Sequence, residues 1–335
     1  MTLTAAQVKG LNNMNVYAQR AALGTVLGTL GPVGNVKWLD PANGSDSNSG
    51  TAAGSAFKTI EKGLASLTGN QNDVLVYLAG ASSSTILTTI DWNLSYTHLV
   101  GYCAPTRVAQ RARFFQTSAS SAGTSPLFTV SGSSCILKDL YIFQGVVSNT
   151  STVDVSVTGQ RNYFENVHFA GAGDASQAIA GGASLNLSGA SENTFVKCTI
   201  GTDTAAAATG LTALSFGNTT THTVNATRNY FDNCVFRVWA NSTGVTFVNI
   251  LELTAITGDN IFDKCLFINR QGTGGTSVLA SAVTGTGSAT GTLFFKDCIA
   301  SRITTWDVAA SGNVMGNMNA VTGAALSGVA VALHA

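Results

Sequence analysis

The feature that most constrains this chain is an eight-residue motif that recurs along it. The clearest copy is NYFDNCVF, which begins at Asn229. Related segments are NYFENVHF, NTFVKCTI, NIFDKCLF, LFFKDCIA and a fainter CILKDLYI, beginning at Asn162, Asn193, Asn260, Leu293 and Cys135. Their third residues lie 27 to 36 residues apart. Recurrence at a similar but not fixed period predicts one supersecondary unit that is stacked on itself.

The motif also predicts which side chains face the interior. Successive residues of a strand point to opposite faces, and stacked strands place equivalent residues about 4.8 Å apart. Asp232 and Asn233 are expected to turn a corner between two strands, because asparagine tolerates a left-handed backbone. Three columns follow: an asparagine ladder with amides bonded along the stack (Asn162, Asn193, Asn229, Asn260), a phenylalanine column (Phe164, Phe195, Phe231, Phe262, Phe295) and a cysteine column (Cys198, Cys234, Cys265, Cys298).

The cysteines are predicted to be free thiols that fill the core. Val167 and Leu140 occupy the cysteine position in the other copies, so this position accepts any small or medium apolar side chain. Free cysteine behaves as a small hydrophobic residue. A metal site is not expected, because the chain has no close Cys/His pairing such as CxxC.

The segment before the repeats indicates a fold family. A short strand at 36–39 leads into DPANGSDSNSG at 40–50, and AFKTI follows at 56–60 at the start of a predicted helix over 56–67. This opening, with the repeats, resembles right-handed parallel β-helix proteins of the pectate-lyase-like class. The resemblance covers roughly residues 36–300. It implies an all-β solenoid whose first rung is capped by the short helix.

The loop after the first strand allows two interpretations. Its polar side chains could supply oxygen ligands to Ca²⁺: Asp40, Asn43, Asp46 and Asn48. Their spacing differs from that of an EF-hand loop, and the terminal glutamate is missing. A hydrogen-bonded turn is therefore favoured, and no cofactor is expected for the chain.

Four segments are predicted. Residues 1–35 form an N-terminal arm with a helix over about 4–30, which begins with a capping box at Thr4 and Gln7. Residues 36–70 hold the strand, the turn loop and the capping helix, and residues 71–305 form the parallel β-helix. Residues 306–335 form an apolar tail that packs on the last rung or on a neighbouring subunit. The arm likewise packs on its own domain or docks on a neighbour.

Composition limits the partners. Only 10% of the residues are charged and the formal net charge is zero, so the chain lacks the basic surface that binds nucleic acid or an anionic membrane. A surface with so little charge favours an assembled state. Residues 1–4 open without a secretory signal, which predicts synthesis in a reducing cytoplasm.

Little in the sequence points to catalysis. Polysaccharide-cleaving enzymes with this fold need clustered carboxylates. Asp232 and Asp263 are expected on adjacent rungs and are the residues to test if the chain is an enzyme, although Lys264 and Lys296 lie close enough to neutralise them. The four histidines are scattered, and no nucleotide-binding fingerprint is present. No enzymatic activity is therefore expected.

Two groups of side chains are candidates for binding. Tyr163 and Tyr230 are expected to point outward on one face with Thr194 between them, and Trp239 follows the second of these strands. These aromatic residues either bind sugars or pack against loops and partners. Arg107, Arg111 and Arg113 form a basic cluster that either holds an acidic ligand or faces solvent.

The chain most resembles the β-helical proteins of bacteriophage particles. That resemblance implies a non-enzymatic structural protein, either a capsid decoration or a tail-associated spike. It would form a rigid homotrimeric protrusion attached to other virion proteins, and this protrusion would either stabilise the particle or contact the host surface, where glycan is a candidate partner. One alternative is a glycan-active tailspike, a lyase or hydrolase with a site between subunits. A second is a bacterial surface glycan-binding protein.

Overall fold

The computed structural model describes residues 34–117, 124–147, 152–171, 173–174, 181–217, 225–252, 254–271, 277–285, 291–307, 314–321 and 330–331. The predicted N-terminal helix and much of the predicted C-terminal tail lie outside these residues. Among the described residues, none of the helices combines the length and apolar character that a membrane crossing needs.

The described chain is almost entirely β-structure. The strands are β1 (Val36–Leu39), β2 (Asp73–Leu78), β3 (Ser84–Thr85), β4 (Ile90–Asp91), β5 (Thr97–Tyr102), β6 (Ala112–Thr117), β7 (Phe128–Val130), β8 (Ile136–Lys138), β9 (Leu140–Gly145), β10 (Val153–Val157), β11 (Tyr163–Glu165), β12 (His168–Ala170), β13 (Ala183–Leu187), β14 (Thr194–Val196), β15 (Thr199–Ile200), β16 (Thr212–Phe216), β17 (Tyr230–Asp232), β18 (Val235–Val238), β19 (Thr246–Ile250), β20 (Gly258–Asp263), β21 (Leu266–Asn269), β22 (Leu279–Gly285), β23 (Gly291–Ser301), β24 (Ile303–Asp307), β25 (Val314–Val321) and β26 (Ala330–Val331). The helices are a 3₁₀ turn at Ala53–Ser55 and α1 at Ile60–Ala65.

The strands stack in parallel to form a solenoid, which confirms the predicted all-β parallel β-helix. Each motif copy supplies two strands that meet at a corner, and the segment between copies supplies a third. We call the first strands the anchor face (β8, β11, β14, β17, β20 and the start of β23) and the second strands the second face (β9, β12, β15, β18, β21 and the end of β23). The third face is a separate sheet that includes β7, β10, β13, β16, β19, β22 and β24.

The phenylalanines of the motif form one interior column. Phe164, Phe195, Phe231, Phe262 and Phe295 are paired across neighbouring strands. Each adjacent pair of rings is parallel within 8° at a centroid distance of 4.6 Å. All five side chains are fully buried. The ring distance matches the strand spacing of a sheet, so one ring fills each rung of the core.

The motif cysteines lie in a second interior column. Cys198, Cys234, Cys265 and Cys298 are fully buried, and none forms a disulfide. The Sγ atom of Cys234 lies 3.4 Å from the carbonyl oxygen of Phe195 on the neighbouring rung. Burial raises the pKa of the Cys234 thiol well above its ordinary value, so it stays neutral as an apolar packing group.

The asparagine ladder joins side chains to backbone between rungs. Oδ1 of Asn193 accepts the backbone N–H of Asn162 at 2.9 Å, and Oδ1 of Asn229 accepts that of Asn193 at 3.1 Å. Asn260 accepts the N–H of Asn229 in the same way at 3.2 Å. The Nδ2 groups donate to backbone carbonyls, for example from Asn229 to Ala190 at 2.9 Å. These amides thus satisfy buried backbone groups at the turn, where no strand partner is available.

The corner between the anchor and second faces is left-handed in every copy. The φ angles at Asp139, Asn166, Lys197, Asn233, Lys264 and Asp297 lie between 52° and 55°. Lysine at two of these positions shows that the corner does not require asparagine. The N–H of Lys197 donates to the carbonyl of Asp232 at 2.9 Å, and that of Asn233 to Asp263 at 2.9 Å. Such bonds between rungs offset the cost of a left-handed backbone.

The capping helix is shorter than the sequence predicts. Phe57 forms a parallel bridge with Leu39, and its N–H donates to the carbonyl of Trp38 at 2.8 Å, so this residue continues the sheet. Thr59 then caps α1 by accepting the N–H of Lys62 at 3.3 Å. The apolar spacing extends through Leu67, but the helix ends at Ala65, and the backbone N–H of the next residue, Ser66, bonds back to the last turn.

Candidate functional site

The outer surface of the anchor face carries two rows of side chains. Along the anchor face, strand register places in the first row Ile136, Tyr163, Thr194, Tyr230, Ile261 and Phe294. The row continues beyond this face onto β1, β2 and β5, with Val36, Val74 and His98. The second row, two residues further along each strand, contains Lys138, Glu165, Val196, Asp232, Asp263 and Lys296. An aromatic and aliphatic stripe therefore runs beside a row of charges.

Both tyrosines of the first row lie across the sheet. The hydroxyl of Tyr163 donates to Oε2 of Glu165 at 3.1 Å, and that of Tyr230 donates to Oδ2 of Asp263 at 2.8 Å. Both acceptors belong to the second row of the same face. A ring bonded in this way must lean over the sheet, because a ring that stood upright could not reach a carboxylate at its base. Both tyrosine side chains are half-buried.

Each of these two carboxylates also forms an ion pair with a lysine. Nζ of Lys138 lies 2.8 Å from Oε1 of Glu165, and Nζ of Lys296 lies 3.0 Å from Oδ2 of Asp263. Burial alone would raise the pKa of Asp263, but the donors Lys296 and Tyr230 outweigh it and hold the pKa below its usual range. Burial, with the hydrogen bond to Asp263, raises the pKa of Tyr230 to about 12. The phenol therefore stays protonated and its ring keeps its orientation.

The predicted carboxylate pair lies within this second row. Asp232 and Asp263 are direct partners on adjacent strands. Oδ1 of Asp232 accepts a hydrogen bond from Nδ2 of Asn233 at 2.7 Å, whereas Asp263 is engaged by Tyr230 and Lys296. Because its pKa is lowered, Asp263 is ionised at neutral pH and is not set up as a proton donor.

The structure does not bring Trp239 together with the two tyrosines. Trp239 follows β18, beyond the second face, and the guanidinium of Arg270 lies over its ring at 4.9 Å. Nη1 of Arg270 donates to the carbonyl of Asp203 at 2.8 Å, and Arg237 pairs with the carboxylate of Asp203 at 2.6 Å. Trp239 thus belongs to a separate polar cluster.

The candidate calcium loop is a hydrogen-bonded turn in this structure. Oδ1 of Asp40 accepts the N–H groups of Ala42 and Asn43, and its Oδ2 accepts Nδ2 of Asn43. Asp46 accepts the N–H groups of Lys58 and Thr59 on one oxygen and the Thr59 hydroxyl on the other. Asn48 donates to the carbonyl of Ala56 at 2.9 Å. The oxygens thus tie the loop to the start of α1, and within the described ranges no three His, Cys, Asp or Glu side chains are grouped so as to hold a metal ion.

The arginine cluster is divided between the loop that joins β5 to β6, which holds Arg107 and Arg111, and β6 itself, which holds Arg113. Arg107 donates to the carbonyl of Asn233 and accepts the hydroxyl of Thr199 at its own carbonyl. Arg113 lies over the ring of Tyr141 at 4.7 Å, and Arg111 is exposed. The cluster therefore does not converge on one ligand. The loop at 103–111, which we call the strap, lies across the second face.

His168 has a role that the sequence did not reveal. Its Nδ1 accepts the backbone N–H of Ala109 at 3.1 Å, and its Nε2 lies 3.0 Å from the carbonyl oxygen of Gly201. Burial lowers the pKa of this imidazole to about 4. The motif register could have predicted that His168 points outward, but it contains no signal that a distant loop would cover it.

The comparisons with known proteins show a likeness in fold. No protein-family model matches it, and no curated protein matches it. A rhamnogalacturonan lyase matches with a TM-score of 0.62 at 15% identity, over 86% of this chain and 74% of that one. A pectin methylesterase from Aspergillus niger matches with a TM-score of 0.59 at 13% identity, over 90% and 92%. Pectate lyase Pel9A matches with a TM-score of 0.56 at 14% identity, over 80% and 63%.

These likenesses support the predicted pectate-lyase-like fold and correct one expectation. We expected no enzymatic activity, and that expectation is wrong as an inference from fold and composition, because the named structures with this architecture are enzymes. At these identities the likeness shows the fold alone and transfers no activity. The fold is thus compatible with enzymatic activity.

Proposed function

We propose that this chain binds a polysaccharide along the anchor face. The observation that carries the proposal is the fixed orientation of two tyrosine rings, Tyr163 and Tyr230. The hydroxyl of each ring donates to a carboxylate of the second row, and each carboxylate is also paired with a lysine. A ring fixed before binding loses little conformational entropy when a sugar stacks on it. Its amphipathic character suits a ligand with apolar C–H faces and polar edges.

The enzymes named among the structural neighbours support the same ligand class. A rhamnogalacturonan lyase, a pectin methylesterase and a pectate lyase are each named for a carbohydrate polymer. The elongated solenoid offers a straight face on which many sugars of one chain can lie at once. Several weak stacking contacts then add up to useful affinity.

The test is affinity electrophoresis of the whole chain in gels that contain soluble polysaccharides of the host surface. We expect retarded migration in at least one gel. The variants Tyr163→Ala and Tyr230→Ala should each reduce the retardation. Tyr102→Ala is the matched control, because Tyr102 is 73% exposed and lies outside the row. Equal retardation of all three variants would contradict the proposal.

Cleavage of the bound polymer is a second candidate, favoured by the position of Asp232. This carboxylate lies in the row beside Tyr230 and one strand from Asp263. Adjacent strands lie about 4.8 Å apart, close to the roughly 5–5.5 Å between the carboxyl groups of retaining glycosidases. An assay for new reducing ends and for unsaturated uronates tests this candidate. Turnover that Asp232→Asn abolishes, with binding retained, would establish it, and absence of turnover on every polymer bound would reject it.

A bacteriophage particle is the setting that we propose for this binding, with the chain as a homotrimer attached to other virion proteins. The low charge of the chain supports it. So do Leu266 and Ile299, paired neighbours on the second face that are 37% and 42% exposed and would be covered by a second subunit. Light scattering after gel filtration tests the trimer, and a monodisperse monomer at micromolar concentration would contradict it. Finding the chain in purified particles would separate this setting from a bacterial surface protein.

A further inference from the structure

We propose that the anchor face selects a neutral, extended glycan whose backbone repeats every two sugars, as β-1,4-linked chains of equatorial hexopyranoses do. This proposal rests on the proposed function and names the ligand class of the same face. It is carried by two observations: the period of the aromatic side chains along the first row and the pairing of the charges along the second row.

The aromatic residues occur on alternate rungs. Along the first row the order is Tyr163, Thr194, Tyr230, Ile261 and Phe294. The rungs are 4.6 Å apart in the interior column, so neighbouring aromatic residues lie about 9–10 Å apart. Phe294 is 38% exposed and continues the series that the tyrosines begin.

That period matches a glycan with a two-fold repeat. In an extended β-1,4-linked chain each sugar is turned over relative to the one before, so every second sugar presents the same ring face. Two such sugars span close to the distance between alternate rungs. Sugars whose hydroxyls are equatorial expose apolar C–H groups on that face, and these pack on an aromatic ring. The intervening Thr194 and Ile261 have no ring, which leaves room for the inverted sugar.

The second row argues against a polyanionic ligand. Glu165, Asp232 and Asp263 bring three carboxylates against two lysines in the row, and each of these lysines is paired with a carboxylate at 3.0 Å or less. Lys264, beside the row, already acts on the charge of Asp263. A uronate chain laid along the tyrosines would meet these carboxylates and would compete for lysines that already have partners. Like charges held close together reduce affinity, so this row discriminates against acidic polymers. Neutral sugars can instead donate hydroxyl hydrogen bonds to the same oxygens.

The test is calorimetric titration of the whole chain with cellohexaose, chitohexaose and an oligogalacturonate of equal length. We expect one of the neutral hexaoses to bind and the oligogalacturonate to bind at least about tenfold more weakly. Cellobiose and chitobiose should bind much more weakly than the hexaoses, because a disaccharide reaches only one ring. Tyr230→Thr should weaken binding of the hexaose about five- to tenfold.

Exchanging two residues of the first row tests the spacing of the tyrosines without changing the amino-acid composition. The double variant Thr194→Tyr/Tyr230→Thr keeps two tyrosines but places them on adjacent rungs. We expect it to bind as weakly as Tyr230→Thr alone, with an unchanged melting temperature. Full affinity in the swapped protein would overturn the two-sugar repeat.

The remaining outcomes are distinguishable. Preference for oligogalacturonate would overturn the neutral ligand and leave polysaccharide binding intact. Failure of all glycans to bind, including host polysaccharide in gels, would overturn the proposed function itself. Tyr230→Thr could instead change the oligomeric state without any change in glycan binding. That result would assign the anchor face to contact between subunits, and it would overturn both the proposed polysaccharide binding and the neutral ligand.

Discussion

The hydroxyl of Tyr230 and Nζ of Lys296 both bond to one oxygen of Asp263, at 2.8 Å and 3.0 Å. The three residues lie on three successive strands of the anchor face. The orientation of an outward ring is therefore coupled to the charge of a carboxylate one rung away. Since the proposed ligand stacks on this ring, the coupling can be tested through either partner.

Removing the hydroxyl of Tyr230 should change the pKa of Asp263. In Tyr230→Phe, Asp263 loses one donor to its charged form, so we expect its pKa to rise and glycan affinity to fall a few-fold as the ring loses its anchor. The pKa is measured by NMR titration of the carboxyl carbon. Tyr163→Phe is the control: its hydroxyl bonds to Glu165, so the pKa of Asp263 should not change. An unaltered pKa in Tyr230→Phe would show that the bond does not form in solution.

Loss of one ring from the phenylalanine column should be costly. Phe231→Ala removes a fully buried ring that stacks on both neighbours at 4.6 Å, and such truncations cost about 3–5 kcal/mol of unfolding free energy. Phe294→Ala removes an outward, 38% exposed ring from the same face and should change stability by about 0.5 kcal/mol or less. Urea denaturation measures both. Equal losses would mean that the interior column has no special role.

The asparagine ladder can be broken at one rung. In Asn229→Ala the buried N–H of Asn193 and the buried carbonyl of Ala190 lose side-chain partners. An unsatisfied buried group costs about 1–3 kcal/mol, so we expect a clear loss of stability. Asn241→Ala, at an exposed position, is the matched control and should be neutral within about 0.5 kcal/mol. A neutral Asn229→Ala would indicate that water replaces the amide.

His168 should make the fold sensitive to acid. Its pKa in the folded state is about 4, below the roughly 6.5 of an unfolded chain, so the unfolded state binds more protons between these values. The stability linked to this group is fully present above about pH 6.5 and is lost as the pH falls toward 4. Chemical denaturation at several pH values measures this loss.

The variant His168→Asn should flatten the decline between pH 6.5 and 4. His98, whose pKa burial also lowers, contributes in the same direction. The control is therefore His98→Asn. This variant should remove only the smaller part of the acid-induced loss of stability that comes from His98. An unchanged pH profile in His168→Asn would refute the assignment.

Thiol reactivity should separate one cysteine from the rest. Cys103 is half-buried, whereas the other five cysteines are buried. We expect one thiol to react with an aromatic disulfide reagent in the native protein and six to react after denaturation. Cys103→Ser should abolish the native reaction without loss of stability. Rapid reaction of several thiols in the native protein would contradict the closed interior column.

The inward-facing residues could be predicted because they follow from patterns within short stretches of sequence. Alternation along each strand and repetition of the motif were enough to place Phe231 and Cys234 inward. The row that joins Tyr163, Thr194 and Tyr230 follows from the same register.

Contacts between distant segments were not predictable. The bond from Tyr230 to Asp263 depends on a side-chain rotamer, and the late beginning of the capping helix depends on a bridge from Phe57 to Leu39. Ala109 meets His168 only because the strap crosses the second face. No periodic pattern in the sequence encodes these contacts.

The strap has a consequence for how the solenoid opens. A stack held only by contacts between neighbouring rungs can fray from its end, one rung after another. Here Gln110 bonds to Asn166, and Arg107 reaches both Thr199 and Asn233, so one loop from an early rung is fastened to three later ones. These rungs cannot separate singly without releasing the strap, so the middle of the rod should behave as one cooperative block.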